Sequence, residues 1–563
     1  MSTKKRTAKL GDCGLRLLSL GLACAPSIAM AQKAPLEITP MVVEVDREEV
    51  TDAAPVLPAT DAKEPAEQDD FKAMPSAAAR ADAAPVAAGP TAAPGANAGA
   101  DAAGFDPVGF APLSDSEGDA PPASARETSR WSSALKLYAR YGAWTHGRPA
   151  LATGVQGALA EVRFRDSVRK ARFGIDVLGG FQLDVAPRLD PQVTEATRDA
   201  YNRQLLLNQA HASVSYLGFE LTLGRLVEVW GQGEVLGFLD LVNARDNRYP
   251  GMLDMASRRF GATAGKLGFS AKSQRVDLIV TAENRFNWGP PPLDRRNPMR
   301  RLVLDDPLLS AALADRDVYF TDQPREGLRT PEAFGRWSYT GHAMDVALHA
   351  GSLLDRGGVI SAPDVASTAK RIALPALHPR YEFMGLSGVL TLARALLRWE
   401  VLYEHQRARN TRLLDAPVLT LGTQRASGLS GLLGVTYLRG SKLTLSLEVA
   451  GQTILDPRLL RAGGTEVLLA PAYQLQGGAL LSMRPTQDLS LELSMVALGV
   501  PLNRNLVRDA SAAVRATVQQ RLTDHTYAEL GLVVFESGEA FTSFYGLDLA
   551  SQVWLTLRWE LAR

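Results

Sequence analysis

The segment Asp488-Leu-Ser-Leu-Glu-Leu-Ser-Met495 alternates strictly between polar and apolar side chains. A period of two places neighbouring side chains on opposite faces of a β-strand, so its leucines and its methionine share one face. The same alternation occurs in Lys442–Val449 and Leu397–Glu404, and it recurs from Trp131 onward in segments of about ten residues separated by turns. This pattern predicts an all-β domain over residues 131–563.

The two faces of these segments distinguish a barrel from a soluble sandwich, which would show the same alternation. The polar face carries charges of both signs in many segments, and the opposite face is rich in Leu, Val, Phe and Trp. A barrel with lipid outside and water inside requires this distribution. The residues predicted to line the lumen wall are Glu161, Arg163, Arg165, Asp277, Glu283, Arg398, Glu400 and Glu404. We expect Glu400 and Glu404 to pair with Arg398 or with Arg380 on the neighbouring strand.

The connections between the segments alternate between short and long. Tight turns are predicted near 167–169, 217–218, 271–273, 341–342, 390–391, 439–441, 485–487 and 522–525. Longer stretches lie between them, the largest near 287–331. Outer-membrane barrels have this arrangement, with short periplasmic turns and long external loops. The prediction is a transmembrane antiparallel up-and-down β-barrel of about 18 strands, with 16 as the alternative. Its last segment, Val553–Leu561, resembles the closing strand recognised by the barrel-insertion machinery.

The first 31 residues have the organisation of an export signal. Basic residues from Lys4 to Lys9 precede a short apolar core, and Ala29-Met-Ala31 offers a small-x-small cleavage site. We therefore predict a signal peptide over residues 1–31. A rival interpretation takes Gly21-Leu-Ala-Cys24 as a lipoprotein box with Cys24 as the acylated residue.

Residues 32–130 differ sharply in composition from the segments that follow. Ala and Pro dominate the stretch from Ser76 to Phe105, with Asp and Gly filling most of the rest. Such a segment has too little bulky apolar surface to offset the entropy lost on ordering. We predict a disordered periplasmic tether, which also offers a possible site for a periplasmic protein partner.

The overall composition excludes several classes of protein. The 61 basic residues equal the 61 acidic ones, whereas a nucleic-acid partner requires a basic surplus. No apolar run outside the N-terminus reaches the roughly 18 residues of a membrane helix. The only two cysteines, Cys13 and Cys24, lie in the predicted signal region, which removes cysteine–zinc sites and cysteine nucleophiles from the mature chain. We expect no cofactor and no bound metal.

The segment from Arg225 to Gly251 carries a family resemblance. Its Asp240-Leu-Val-Asn243 and Arg245-Asp-Asn-Arg248, followed by Pro250-Gly251, resemble the signature of a proteobacterial outer-membrane β-barrel family catalogued as a domain of unknown function, number thirteen-oh-two. Arg380–Gly385 and Leu397–Glu400 resemble later strands of that family. The resemblance spans most of residues 131–563 in a divergent form. It implies an outer-membrane, channel-like barrel.

In the predicted strand map this segment follows the fifth strand and forms the third external loop. Its apolar residues would pack on the inner wall and its charges would face permeant molecules. The predicted constriction residues are Arg225, Glu228, Glu234, Asp240, Asn243, Arg245, Asp246, Asn247 and Arg248. Two alternatives remain: a structural loop whose ions pair with lumen charges and brace the barrel, and an exposed loop.

Three functions follow as hypotheses. The first is a porin-like channel for small or moderately sized solutes, in the outer membrane of a Gram-negative bacterium and in contact with its lipid. The second is the outer-membrane component of an export or envelope assembly whose partners bind the tether. The third is a lipolytic barrel, because His211 and Ser213 share one face of a strand and a His can activate a Ser for attack on an ester. Since that face looks lumenal rather than lipid-facing, we predict that the protein is not an enzyme.

Overall fold

The computed structural model describes part of the chain between Trp131 and Ala562. The gaps are 147–150, 169, 191–192, 203, 254–256, 306, 314–315, 323–329, 361–369, 414–420, 456–464, 468–472, 501–510, 539–543 and 545. The predicted signal peptide and tether, residues 1–130, lie outside the described residues.

In the described part of the chain, 18 long antiparallel strands form one sheet that closes on itself. The first nine strands are β1 (Trp131–Trp144), β2 (Leu151–Val168), β3 (Ala171–Asp184), β4 (Gln204–Tyr216), β5 (Phe219–Leu226), β6 (Ala262–Ala271), β7 (Gln274–Thr281), β8 (Glu332–Thr340) and β9 (Met344–Leu354). The other nine are β10 (Arg380–Leu392), β11 (Ala395–Leu413), β12 (Leu421–Arg439), β13 (Leu443–Ile454), β14 (Tyr473–Met483), β15 (Leu489–Val500), β16 (Ser511–Arg521), β17 (Thr526–Glu536) and β18 (Gln552–Ala562). The prediction of 18 strands is confirmed.

Each strand pairs with the next in sequence, and β1 pairs with β18 from Ala134↔Ala562 to Trp144↔Gln552. Closure leaves no long strand with an unpaired edge, which is the condition for crossing a bilayer with strands. It also fixes an inner and an outer face for every alternating segment.

Strand β13 shows why the sequence alternates. Leu447 and Val449 point outward and are 55% and 57% exposed, whereas Ser446 and Glu448 point inward and are 0% and 2% exposed. The inward residues are covered by other parts of the chain, and the outward ones meet only the surroundings of the barrel. The alternation has a period of two because one face of the wall contacts other parts of the chain and the opposite face contacts the surroundings of the barrel.

The connections are short at one end of the barrel and longer at the other. The longer ones used below are loop 2 (185–203), loop 3 (227–261), loop 4 (282–331), loop 5 (355–379) and loop 9 (537–551). The turn predicted near 390–391 lies three residues later, because β10 continues through Leu392 and the chain turns at Ala393 and Arg394. The residue with a positive φ in this turn is Ala393 (φ 40°). The turn therefore lacks the glycine or asparagine that would mark it in the sequence.

The long loops carry short elements of their own. In the described parts of the loops, the helices are α1 (Ala186–Leu189), α2 (Glu195–Ala200), α3 (Met299–Asp305) and α4 (Pro307–Leu313), and a 3₁₀ turn spans Leu547–Ala550. In loops 4 and 5, Asp317–Asp322 pairs in parallel with Arg371–Leu377, which also pairs with Val359–Ile360. Among the described residues, no helix has the length and apolar character needed to span a bilayer.

Candidate functional site

Loop 3 lies inside the barrel rather than above it. Its Trp230, Leu239 and Val242 are buried in one apolar cluster with inward-facing residues of the wall. The wall residues of this cluster belong to strands β5 to β11: Leu226, Ala264, Ile279, Phe334, Leu353, Tyr381, Phe383 and Leu402. Burial of these side chains is the driving force that brings the loop into the lumen.

The same loop also reaches the opposite side of the lumen. Tyr249 and Met252 are buried in a second cluster with Val533 of β17 and Trp554 of β18. Strands β10 and β11 lie across the closed sheet from β18 and β1. Loop 3 therefore crosses the lumen between two apolar anchors, which excludes the alternative of an exposed loop.

Glu400 on β11 binds the backbone of loop 3. Its Oε1 accepts hydrogen bonds from the N–H groups of Gln232 and Gly233, the latter at 2.8 Å. Its Oε2 accepts from the N–H groups of Phe238 and Leu239 at 2.9 and 3.2 Å. The carboxylate thus joins two separate parts of the loop, and it was predicted only as a wall charge paired with an arginine.

Glu448 on β13 binds the stretch between those two parts. Its Oε1 accepts from the N–H of Glu234 at 2.6 Å, and its Oε2 accepts from the N–H groups of Val235 and Leu236 at 3.0 and 2.6 Å. Sequence reasoning missed this residue. The alternation of Lys442–Val449 places Glu448 on the polar face, but the amides that it binds lie more than two hundred positions away.

Two acidic side chains of loop 3 pair with basic residues of the wall. Glu234 forms an ion pair with Arg398 of β11 at 2.5 Å and accepts a hydrogen bond from the Thr436 hydroxyl at 3.1 Å. Glu228 pairs with Lys266 of β6 at 2.6 Å. These contacts are the ones expected of a loop that braces the barrel.

The remaining predicted charges of loop 3 pair within the loop. Asp240 binds Arg245 at 3.1 Å and Arg259 at 2.8 Å, and Asp246 binds Arg248. The Asn243 side chain bonds to both the N–H and the carbonyl of Glu228. Asp240, Asn243, Asp246 and Arg248 are buried, whereas Arg245 and Asn247 are half-buried and line a cavity of about 260 Å³ beside loop 3.

That cavity lies between loop 3, loop 5 and the inner wall of β10 to β13. Its lining combines the apolar faces of Phe238 and Leu402 with charged residues, among them Arg407 and Arg409. Asp355 of loop 5 also lines it and pairs with Arg407 at 2.9 Å. Burial alone would raise the pKa of Asp355, but Arg407 outweighs that effect and holds the pKa below its ordinary value.

Three sequence-based placements need correction. Arg225 lies in β5 and not in loop 3, and Glu283 lies in loop 4 beyond the end of β7; the two side chains bind each other. Glu404 pairs with Arg407 at 2.6 Å and Arg409 at 3.0 Å, not with Arg398 or Arg380. For Arg225 and Glu283 a strand boundary differs by a few residues from the prediction, which a period of two does not fix. The partners of Glu404 lie on its own strand, beyond an irregularity in register between Glu404 and Arg407.

The other predicted wall residues face the lumen in paired clusters. On β2 and β3, Glu161 binds Arg163, and Asp176 binds Arg165 at 2.8 Å. On β7, Asp277 binds Arg275 at 2.8 Å. Such pairs satisfy charges that would otherwise be costly to bury.

The pair His211 and Ser213 lies on that same inner face of β4. The His211 ring meets Asp176 at 3.1 Å and the carbonyl of Arg225 at 3.3 Å. Gly174 on the neighbouring strand lies against both the Ser213 hydroxyl and Arg165. The two residues therefore belong to a lumenal charged cluster, not to a lipid-facing one.

Two glycines of the wall make room for loop 3. A Cβ on Gly385 of β10 would lie 2.3 Å from Leu239 Cδ2, and one on Gly478 of β14 would lie 2.9 Å from Val235 Cγ1. Real Cβ atoms do not approach other carbons so closely, so a side chain at either position would displace the loop 3 side chain that packs there.

Comparison with known proteins gives matches at the level of solved structures alone. No family model matches the chain, and no curated protein sequence matches it. OccK11 (OpdR) of Pseudomonas aeruginosa is 12% identical with a TM-score of 0.42, covering 77% of this chain and 96% of that one. OccAB3 of Acinetobacter baumannii is 9% identical with a TM-score of 0.43, covering 77% and 99%. OmpF of Salmonella typhi, in complex with daunomycin, is 10% identical with a TM-score of 0.40, covering 77% and 97%.

Proposed function

We propose that this protein is an outer-membrane channel whose lumen is narrowed by loop 3. The observation that carries the proposal is the course of loop 3, which crosses the lumen from the cluster around Leu239 to the cluster around Met252. A segment in that position reduces the free cross-section of the barrel. A barrel of this strand number would otherwise enclose an aqueous passage.

The outer face supports a location in a bilayer. Outward residues such as Leu433, Leu447 and Leu555 are about half exposed, although they are large and apolar. They recur around the closed sheet, from Leu137 on β1 to Leu557 on β18. A continuous apolar surface of this extent is unfavourable in water and favourable in lipid.

The aperture is set by the body of loop 3 more than by its charges. Most of the predicted constriction residues are bound to one another or to the wall, and Asp240, Asp246 and Arg248 are buried. Arg245 and Asn247, beside the cavity, are the two that we propose to meet permeant solutes. Bracing and constriction are then not exclusive alternatives, because the ion pairs that hold loop 3 against the wall also keep it in the passage.

The test is single-channel conductance of the refolded protein in a planar bilayer. The comparison variant replaces residues 231–250 with a short Gly/Ser loop. A stable conductance that rises on replacement supports a pore constricted by loop 3. A silent wild type beside a conducting variant supports a channel closed by that loop. If both folded barrels stay silent, the channel proposal is wrong.

A further inference from the structure

We propose that Glu400 and Glu448 are positioning residues that hold loop 3 across the lumen and so set the width of the passage. This inference rests on the proposed channel function. Neither residue is proposed to contact the solute. Each acts through the backbone of the loop that it binds.

The chemistry of the contact is unusual for a wall charge. Within residues 232–239 the loop has no regular secondary structure, so its amides lack the partners that a helix or strand provides. Seven N–H groups of the loop point to these two carboxylates, those of Gln232, Gly233, Glu234, Val235, Leu236, Phe238 and Leu239. A carboxylate has about four lone-pair sites and makes stronger hydrogen bonds than a neutral acceptor. The two side chains replace the missing secondary structure.

The two carboxylates hold different parts of the loop. Glu400 binds the amides at both ends of the turn, 232–233 and 238–239, and so closes it into a ring. Glu448 binds the middle, 234–236, which packs against the wall of β12, β13 and β14. The two side chains come from β11 and β13, which are two strands apart, so their backbones are separated by about 10 Å. Two contacts supplied by separate strands prevent the loop from pivoting about either one.

The same strand supplies a matched control. Glu404 is also buried on the inner face of β11, but its hydrogen bonds are to the guanidinium groups of Arg407 and Arg409. Glu404→Gln removes one lumen carboxylate without removing an acceptor of loop 3 amides. A difference between this variant and Glu400→Gln reports on the loop rather than on lumen charge.

The experiment uses two readouts in the full-length chain. Cys13→Ser and Cys24→Ser remove the native thiols, and Leu236→Cys adds a reporter at a buried position of the loop that packs on Leu432 and Ala450. The first readout is the rate at which a small charged methanethiosulfonate labels that thiol in the folded protein. The second is single-channel conductance, measured without the reporter.

Glutamine keeps one acceptor oxygen but turns an NH₂ group toward N–H donors. We therefore expect Glu400→Gln and Glu448→Gln each to speed labelling by at least about tenfold, which corresponds to the loss of one hydrogen bond to a charged group. We expect their conductance to rise at least about twofold while the heat-modifiable folded band on a gel is retained. Glu404→Gln should label at the wild-type rate. If a Gln variant fails to fold, Glu448→Asp, which keeps the charge on a shorter arm, should show a smaller change in the same direction.

Equal labelling rates in Glu400→Gln, Glu448→Gln and Glu404→Gln would overturn the inference, whatever the conductance. Faster labelling with unchanged conductance would also overturn it, because loop 3 would then be held without limiting the passage. Silence of every variant in the bilayer, including the Gly/Ser replacement, would instead refute the channel, while the labelling rates would still report on the two carboxylates.

Discussion

Arg398 on β11 and Glu234 in loop 3 form an ion pair in which Nη2 lies 2.5 Å from Oε1. Both side chains are largely buried, so the pair is shielded from solvent. It lies beside Glu400, two positions along the same face of β11. One strand therefore supplies loop 3 with both a positive partner for its side chain and a negative partner for its amides.

Removing the arginine leaves a buried carboxylate without its partner. We expect Arg398→Ala to lower the free energy of unfolding by about 3 kcal/mol, because breaking a buried pair costs more than the pair contributes. Denaturant unfolding of the refolded barrel measures the change. The matched control is Arg521→Ala, whose partner Asp524 is 87% exposed and whose loss should change stability by less than about 1 kcal/mol. Equal effects of the two substitutions would contradict the prediction.

Glu234 also gives the loop a dependence on pH. Burial by itself would raise the pKa of Glu234, but the hydrogen bond and charge of Arg398 outweigh burial and hold the pKa below its ordinary value of 4.5. A carboxyl group with a lowered folded-state pKa contributes stability that is fully present above its unfolded pKa and lost as the pH falls through the folded one. The stability difference between wild type and Glu234→Gln should therefore be constant from pH 7 to 5 and shrink below pH 4.5. A difference that grows on acidification would contradict this sign.

Gly478 and Gly477 are neighbours on β14 with opposite surroundings. A Cβ at Gly478 would press on Val235 of loop 3, whereas nothing lies within 4 Å of one at Gly477. We expect Gly478→Ala to destabilise the barrel by about 1–3 kcal/mol, as overpacking does, and to displace the loop. Gly477→Ala should be neutral or slightly stabilising. The measurements are denaturant unfolding and single-channel conductance, and indistinguishable variants would show that the loop does not bear on this wall.

The outward face of β13 tests the membrane location. Leu447 lies near the middle of the strand and is 55% exposed. Leu447→Arg should cost about 2–4 kcal/mol in folding into lipid vesicles, the range for a cation near the bilayer midplane. Leu522→Arg, in the short turn between β16 and β17, should cost no more than about 1 kcal/mol. A tolerated arginine at 447 would mean that lipid does not surround this part of the barrel.

The wall of the barrel was predictable because each strand position reports its own surroundings. Leu489, Leu491 and Leu493 alternate with polar residues for the same reason that Leu447 alternates with Glu448, and this relation needs no knowledge of distant residues. The short turns were predictable to within a few residues. The turn at Ala393 was misplaced, because a backbone geometry that usually requires glycine is adopted there by alanine.

The interior was predictable only in outline. The composition of the segment after β5 indicated an inward loop, and loop 3 does enter the lumen. The partners of its charges were not predictable, because the course of loop 3 inside the barrel, and not local spacing, brings Glu234 to Arg398 and Glu228 to Lys266. Glu448 was not identified from the sequence for the same reason. The groups that it binds are backbone amides, which are present in every sequence and therefore mark no position. The signal peptide, the tether and its possible partner, and the family resemblance stay predictions.

The second anchor of loop 3 also sets an order of events in biogenesis. Gly251 and Met252 pack on Val533 of β17, and the same cluster includes Trp554 of β18. These strands are the last two of the barrel in chain order, and β18 completes the seam with β1. An assembly intermediate without these two strands can seat loop 3 only on the wall from β5 to β14. Loop 3 therefore spans the lumen only as the seam between β1 and β18 closes. A barrel halted before that step is open to lipid along the seam and has a wider lumen.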